Sequence, residues 1–424
     1  MVSDASRPRQ VAVDLMGDVL DEKRLLSEVM ARRLERLGPE ERARAQRLVL
    51  SALRSMDRAD RMLGPHLKKR PVPRVMNILR LGVAEICAEG APAHGVVNSA
   101  VEIARATRRT TPMSGLVNAV LRKVALDSGK WGMLPVPRLP KWLRKPLIAD
   151  YGKQVVEEME AAHYAGAPLD LSAKEKPDVL AEKLGANLLP TGSVRMANTG
   201  QISRLAGYSE GDWWVQDAAA ALPAIVLAAQ PGERVLDLCA APGGKTMQLI
   251  TTKAAVTALD ISASRMARLS ENLTRCGMQA DIVVADLLEW EADAPFDAIL
   301  LDAPCTATGT IRRHPDLPYA KDGSDFPGLF ELQEHLIDRA LGQLKPGGRL
   351  VYCTCSLLID EGEEQIRDAL ARHPGLTVDR DALKVAGVDT AWIGDEGGMR
   401  LRPDFWADRG GMDGFYIACL RKPA

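Results

Sequence analysis

The feature that most constrains the fold is an alternation of short apolar runs with helical patterns between residues 233 and 353. Each apolar run is short enough to be a strand buried on both faces, and the intervening stretches are long enough for crossover helices. Such crossovers join parallel strands and are almost always right-handed. This part of the chain is therefore predicted to form a doubly wound α/β sheet.

One loop in this alternation has the composition of a cofactor-binding turn. It follows an apolar strand at 235–238, and a helix is predicted over 245–252. Small residues let a ligand approach the backbone closely, and the helix start offers free N–H donors. A P-loop is excluded because Cys239 stands where its first glycine is needed, and the glycine spacing of dinucleotide folds is absent. The candidate cofactor-binding residues here are Cys239, Ala240, Ala241, Pro242, Gly243, Gly244 and Lys245.

Acidic residues end the predicted strands. Asp237 ends the first strand, and Asp260, Asp286 and Asp302 end the next three. Ligands of open parallel sheets bind beyond the carboxyl ends of the strands. Asp260 is therefore predicted to accept the ribose hydroxyls of a cofactor, and Asp286 to meet an adenine edge. An acid beside the loop suits an ammonium and a sulfonium better than a pyrophosphate, which predicts S-adenosylmethionine. The alternative for each aspartate alone is an ordinary strand-end or N-cap residue.

Charge is divided unevenly along a chain whose net charge is only −1. Residues 1–150 carry 28 Lys and Arg against 16 Asp and Glu, a net of +12, and the remainder carries 27 against 40, a net of −13. A basic front part favours a polyanionic partner such as RNA, although a solvated basic face would look the same. Apolar spacings of three and four predict an all-helical bundle there, with helices at 9–20, 42–63, 72–89, 99–107 and 114–126.

We predict three regions. Residues 1–130 form the helical domain, residues 131–210 form a linker with a small mixed α/β segment, and residues 211–424 form the catalytic domain. Trp213–Asp217 is predicted to begin a helix that leads into the third region. Without a secretory segment, a long apolar run or a Cys-x-x-Cys pair, the chain is predicted to be cytoplasmic, with no membrane span, disulfide framework or metal site.

Two cysteines fall where predicted strands end beside the cofactor acids. Cys305 follows Asp302, and Cys355 follows the strand at 349–354. Thiols next to a methyl donor suit methylation at C5 of a pyrimidine, because a thiolate that adds to C6 makes C5 nucleophilic. A base must then remove the C5 proton so that the thiol is eliminated. The residues alone leave open which cysteine attacks.

Three motifs resemble the Nol/Nop/Sun family of RNA cytosine-5 methyltransferases: Asp237–Thr246, Leu301–Cys305 and Tyr352–Ser356. The resemblance implies a Rossmann-like fold that uses S-adenosyl-L-methionine. It also implies that Cys355 is the nucleophile, that Cys305 assists release of the covalent adduct, and that Asp302 binds both cofactor and cytosine. Two positions depart from the family pattern. Thr306 replaces the usual serine, and Cys353, predicted to be a small core residue, stands where a small residue is common.

The front of the chain resembles the NusB-type RNA-binding domain at Val97–Arg105 and Gly115–Lys123. With the catalytic motifs, this implies formation of 5-methylcytosine in 16S (small-subunit) rRNA, at cytosine 967 in conventional numbering. The same chemistry on tRNA, or a non-catalytic antitermination-like factor, remains the alternative. Arg312 and Arg313 also match the catalytic family and are predicted to contact RNA phosphates, with structural ion pairing as the alternative.

Overall fold

The computed structural model describes residues 3–196 and 200–424, and its contacts divide the chain into two compact units. One unit comprises Met1–Gly166 and Ile311–Gly323, and the other comprises Ala167–Thr310 and Ser324–Ala424. The predicted region 131–210 is therefore not a separate segment, because its first part packs in one unit and its second part in the other. Local composition suggested a linker there, whereas domain membership depends on long-range contacts that local composition does not report.

The first unit is helical, as predicted. Its helices are α1 Arg7–Leu20, α2 Leu26–Leu34, α3 Pro39–Arg54, α4 Met56–Leu63, α5 Pro73–Val83, α6 Ala93–Arg105, α7 Ser114–Leu126, α8 Lys141–Tyr151 and α9 Lys153–Ala165. The apolar faces of α1 to α7 meet in one core that includes Met16, Leu53, Leu79 and Leu121. The single helix predicted over 42–63 is wrong, because the chain breaks at Ser55. The Ser55 hydroxyl donates to the Ser51 carbonyl at 2.6 Å and competes with the helical backbone.

The second unit contains two sheets. A small antiparallel sheet has the order β2-β3-β1-β4, and a larger sheet has the order β10-β12-β9-β8-β5-β6-β7, with β11 paired to β12. The strands are β1 Leu169–Ala173, β2 Asn187–Leu188, β3 Val194–Met196, β4 Trp213–Val215, β5 Arg234–Leu238, β6 Ala255–Asp260, β7 Asp281–Val284, β8 Phe296–Asp302, β9 Leu344–Thr354, β10 Thr377–Val378, β11 Met399–Leu401 and β12 Phe415–Arg421. The helices from this part of the chain are α10 Pro177–Leu184, α11 Ala218–Leu227, α12 Gly244–Thr251, α13 Ala263–Cys276, α15 Phe326–Gly342 and α16 Glu363–Arg372.

The larger sheet has the predicted doubly wound topology. Strands β5 to β9 pair in parallel, and the order reverses at β5, which has β6 on one side and β8 on the other. The loop after β5 therefore lies at the topological switch point, where such sheets bind ligands. Strand β12 is antiparallel to β9. In the described residues, no helix combines the length and the apolar character that a membrane crossing needs.

The prediction that Trp213–Asp217 begins a helix is wrong. Trp213 and Trp214 lie in strand β4, which pairs with β1, and both indoles are buried. Strand pairing and indole burial outweigh the local pattern here. The helix α11 begins only at Ala218, after Asp217, whose side chain accepts a hydrogen bond from the Ala219 N–H at 2.8 Å.

The segment Ile311–Gly323 is an excursion of the chain into the helical unit, and it contains the short helix α14 (Leu317–Ala320). Asp316 is buried and accepts a hydrogen bond from the Leu26 N–H at 2.8 Å, which satisfies a free donor at the start of α2. The Pro318 carbonyl accepts from the Trp142 indole at 3.0 Å, and Ala320 belongs to the helical core. The segment is therefore an integral part of that unit.

Candidate active site

The loop after β5 is shaped by two residues with positive φ. Cys239 has φ +58° and Gly243 has φ +101°. A Cβ atom at Gly243 would lie 2.9 Å from the Leu269 side chain, so this position accepts only glycine without rearrangement. The turn closes with the Gly243 N–H donating to the Ala240 carbonyl at 2.8 Å, and α12 begins at Gly244. The loop thus presents backbone and a helix N-terminus rather than bulky side chains.

Asp237 lies fully buried at the end of β5 with half of its carboxylate unsatisfied. Its Oδ2 accepts a hydrogen bond from the Thr246 hydroxyl at 2.5 Å, whereas Oδ1 has no partner among the described residues. Burial raises the pKa of Asp237 to about 7. An unpaired buried acceptor of this kind suits a cationic ligand group such as an ammonium.

The next two strand-end acids differ in exposure. Asp260 is buried and accepts hydrogen bonds from the backbone N–H groups of Ser262 at 2.9 Å and Ala241 at 3.3 Å. It is also paired with the guanidinium of Arg265, which is about half exposed and can swing away. Asp286 is partly exposed, and its Oδ1 accepts from the Leu288 N–H at 2.9 Å.

Asp302 forms an ion pair with Lys245, with Nζ and Oδ2 2.8 Å apart. Burial is the largest single effect on the pKa of Lys245 and lowers it, but the charge and hydrogen bond of Asp302, together with the charges of Cys353 and Asp237, raise the pKa overall, so the lysine stays cationic. Cys353 is buried in the core, as predicted, but its thiol also lies 3.5 Å from Asp302 Oδ1 and can donate to it. Asp302 is therefore oriented by a cation and a thiol.

The structure brings the two predicted cysteines together. The sulfurs of Cys305 and Cys355 are 3.5 Å apart, and both side chains are partly exposed. The pairing of β8 with β9 explains this, since Asp302 is opposite Cys353 and each cysteine follows shortly after its strand. The hydrogen bond with Cys355, together with burial, raises the pKa of Cys305 well above its usual value. The arrangement provides one neutral thiol beside a second sulfur.

Sequence reasoning missed a buried polar cluster beneath these loops. Glu361 and Gln333 are both fully buried, and the Gln333 amide donates to the Pro304 carbonyl at 2.9 Å and to Glu361 at 3.0 Å. No spacing rule marks either residue, because they come from different elements and meet only in the folded chain. The acidic stretch just after Cys355 was the one available signal.

The structure corrects one of the two predicted arginine contacts. Arg312 is completely buried within the helical unit, where it cannot present its guanidinium to a phosphate, and Arg54 donates to its carbonyl at 3.0 Å. The Arg312 guanidinium lies in the interior because the segment Ile311–Gly323, which carries it, packs among the helices. Arg313 is partly exposed, and its contact with RNA stays a prediction. Among the described residues, no group of His, Cys, Asp and Glu side chains could hold a metal ion.

Comparisons with known proteins agree with this geometry. A sequence model described as the 16S rRNA methyltransferase RsmB/F family matches residues 224–421, and one for the NusB family matches residues 6–126. The ribosomal RNA small subunit methyltransferase B of Pseudomonas putida is 34% identical, over 98% of this chain and 99% of its own length. That of Vibrio cholerae is also 34% identical, over 98% and 97%.

The chain belongs to the RsmB/F family of methyltransferases. The crystal structure of PH0851 covers all of both chains with a TM-score of 0.75 at 22% identity, which shows a shared fold. NSun6 from Pyrococcus horikoshii covers 67% of this chain and 98% of its own, with a TM-score of 0.57 at 20% identity. The predicted fold class, a NusB-like helical bundle and a Rossmann-like α/β domain, is confirmed.

Members of the RsmB/F family take the methyl group from S-adenosyl-L-methionine, and the predicted cofactor is confirmed. The residues at the switch point fit it. The open loop after β5, the unpaired Oδ1 of Asp237 and the acid at the end of β6 supply what an amino acid and a ribose require.

Proposed function

We propose that the chain methylates C5 of a cytosine in small-subunit rRNA through a covalent adduct between Cys355 and C6. The observation that carries this proposal is the 3.5 Å separation of the Cys305 and Cys355 sulfurs, at the sheet edge that also carries the cofactor loop. A single thiol would suffice for attack. A second thiol at hydrogen-bonding distance is useful when the first must also leave.

The chemistry follows from these two groups. The Cys355 thiolate adds to C6, forms the C6–S bond and gives C5 enamine character. The bound cofactor supplies the electrophilic methyl group. A base then removes the C5 proton, the C5–C6 double bond re-forms, and the C6–S bond breaks with its electron pair returning to Cys355. The neutral Cys305 thiol stabilises this leaving thiolate by donating a hydrogen bond to it, and Asp302 orients the cytosine.

We assign the cofactor to the loop from Cys239 to Lys245 and to the acids at the strand ends. The ammonium is placed on Asp237, the ribose hydroxyls on Asp260 and the adenine edge near Asp286. Lys245, held by Asp302, keeps positive charge beside the loop. The Arg265 guanidinium must move off Asp260 for the ribose to bind.

For the substrate, we propose 16S rRNA at the position equivalent to cytosine 967, reached in the cytoplasm. The relatives named above act on small-subunit rRNA by their names. The helical unit carries exposed cations, such as Arg108, Arg109 and Lys123. They are suited to phosphate contacts of low sequence specificity.

Bisulfite sequencing of total RNA from a deletion strain tests this proposal. The expected result is loss of one 5-methylcytosine in 16S rRNA that returns with the wild-type gene and not with Cys355→Ala. Loss of a 5-methylcytosine from tRNA instead would indicate that the chain carries out the same reaction on tRNA. An unchanged pattern, together with an inactive purified protein, would favour the non-catalytic RNA-binding alternative.

A further inference from the structure

A buried carboxylate holds the loop that carries Cys305. Glu361 is fully buried, and its Oε1 accepts a hydrogen bond from the Thr306 N–H at 2.9 Å. Its Oε2 accepts from the Thr306 hydroxyl at 2.5 Å. Because Thr306 directly follows Cys305, the carboxylate fixes both the backbone and the side chain of the residue next to that thiol. The bond from Gln333 to Oε1 fixes the carboxylate in turn.

The main chain of the same residue holds the loop that carries Cys355. The Glu361 carbonyl accepts hydrogen bonds from the Thr354 hydroxyl at 3.0 Å and from the Tyr352 hydroxyl at 2.9 Å. Thr354 directly precedes Cys355. One residue therefore binds the neighbour of each cysteine, through its side chain on one side and through its backbone on the other.

We propose that Glu361 is a positioning residue that sets the distance between the Cys305 and Cys355 thiols for attack and release. This inference rests on the proposed function, since it assigns a role within the same reaction. Glu361 does not reach the reacting carbon in this scheme and acts through Thr306 and Thr354. Three donors meet the Glu361 side chain: the Thr306 N–H, the Thr306 hydroxyl and the Gln333 amide. An ionised carboxylate satisfies all three, because both of its oxygens accept hydrogen bonds and neither donates.

The charge of Glu361 adds an electrostatic effect to this geometry. The groups that act on the pKa of Cys305 are Cys355, Glu361 and the backbone of Ala307, whose hydrogen bond lowers it. The hydrogen bond with Cys355 and burial contribute most to the raised pKa of Cys305, and the charge of Glu361 raises it further. Replacement of the carboxylate by an amide should therefore loosen the Cys305 loop and make its thiol more acidic.

The test compares Glu361→Gln with Glu364→Gln, a matched control whose side chain is 43% exposed and pairs with Arg367 at the surface. Single-turnover methyl transfer should fall by about 10²-fold in Glu361→Gln, the cost expected when reacting groups are displaced by roughly 1 Å. Affinity for the cofactor should not change, because its loop lies at another strand end. Methyl transfer equal to that of the control would overturn the proposal.

A second pair of variants covers the case in which Glu361→Gln fails to fold. Thr306→Val removes the hydroxyl that Glu361 binds, whereas Thr306→Ser keeps it. Slow methyl transfer in the first and normal transfer in the second support the positioning role, and equal rates contradict it.

A readout without RNA separates this inference from the proposed function. In a Cys355→Ala background, alkylation of Cys305 by iodoacetamide should reach its half-maximal rate at lower pH when Glu361→Gln is added. An unchanged alkylation profile would remove the electrostatic part of the role. A wild-type enzyme that forms no 5-methylcytosine would refute the proposed function and leave the alkylation result standing.

Discussion

The Cys305 and Cys355 sulfurs lie 3.5 Å apart, which suits a hydrogen bond and exceeds the roughly 2.05 Å of a disulfide. At this distance one thiol can donate a hydrogen bond to the other sulfur. The hydrogen bond with Cys355 and burial raise the pKa of Cys305, so this thiol stays protonated beside the second sulfur.

We expect the two cysteine substitutions to give opposite results. Cys355→Ala removes the attacking sulfur, so methyl transfer and the covalent RNA complex should both vanish. Cys305→Ala removes the donor that assists release, so methylated RNA should remain attached to the enzyme. A denaturing gel with labelled RNA and cofactor distinguishes them by a slowly migrating band. A band from Cys355→Ala alone would assign the attack to Cys305 instead.

Cofactor affinity should depend on pH through Asp237. Its pKa is raised to about 7 by burial, and an ammonium binds the ionised form, so affinity should rise about tenfold per pH unit below 7 and level off above it. Without cofactor the sign for stability is opposite, because the protonated form is favoured in the fold and stability falls as pH rises from about 4 to 7. Calorimetry at several pH values checks this, and the weaker binding of Asp237→Asn should be independent of pH.

Asp260→Ala should weaken cofactor binding by about 1–3 kcal/mol, because the ribose hydroxyls lose a buried charged acceptor. Arg265→Ala is the matched control. It removes the guanidinium that covers the same carboxylate and should not weaken binding. If calorimetry gives Asp260→Ala the wild-type affinity, Asp260 does not belong to the site.

RNA affinity should fall with salt through the exposed cations of the helical unit. Replacement of Arg108, Arg109 and Lys123 by glutamine in the full chain should lower the log–log salt slope by up to about 0.9 for each lost phosphate contact in duplex-like RNA. Arg61→Gln serves as control, because that residue is already paired with Asp57 at 3.1 Å. A slope equal to that of the wild type would exclude this surface.

The helical unit should lose stability in acid because of His163. This imidazole is buried with neither ring nitrogen bonded among the described residues. Burial, with the charges of Arg312 and Arg54, lowers its pKa to about 3. The unfolded chain takes up a proton near pH 6.5, so stability should fall by up to about 1.4 kcal/mol per pH unit below that value. Urea unfolding of His163→Leu should lack this contribution to the pH slope, and an identical slope would contradict the assignment.

The sequence was most informative where short local motifs carry the site residues. The loop at Cys239–Lys245 and the strand-end acids were located from spacing alone, because a parallel sheet brings the ends of its strands to one edge. The cysteines Cys305 and Cys355, which we propose to be catalytic, also lie at that edge. Their distinct roles came from family resemblance, since the residues themselves permit either order of attack.

The errors arose where long-range contacts decide the structure. Trp213, Trp214 and Val215 are residue types that strands favour, but a run of three is too short to predict a strand, and its pairing with β1 depends on a partner distant in the chain. The burial of Arg312 and the place of Glu361 depend on the path of the chain after each cysteine. No local pattern encodes these paths, because they are set by the packing of whole elements.

The excursion of Ile311–Gly323 affects how the protein is made. The N-terminal helices emerge first from the ribosome, but their core lacks Ala320 and the first turn of α2 lacks Asp316 until synthesis has passed that segment. The helical unit thus cannot reach its final form during synthesis until the loop that bears Cys305 has also been made. Synthesis from the N-terminus normally lets one domain fold before the next is made. Here the first unit is completed only after a large part of the second unit has been synthesised.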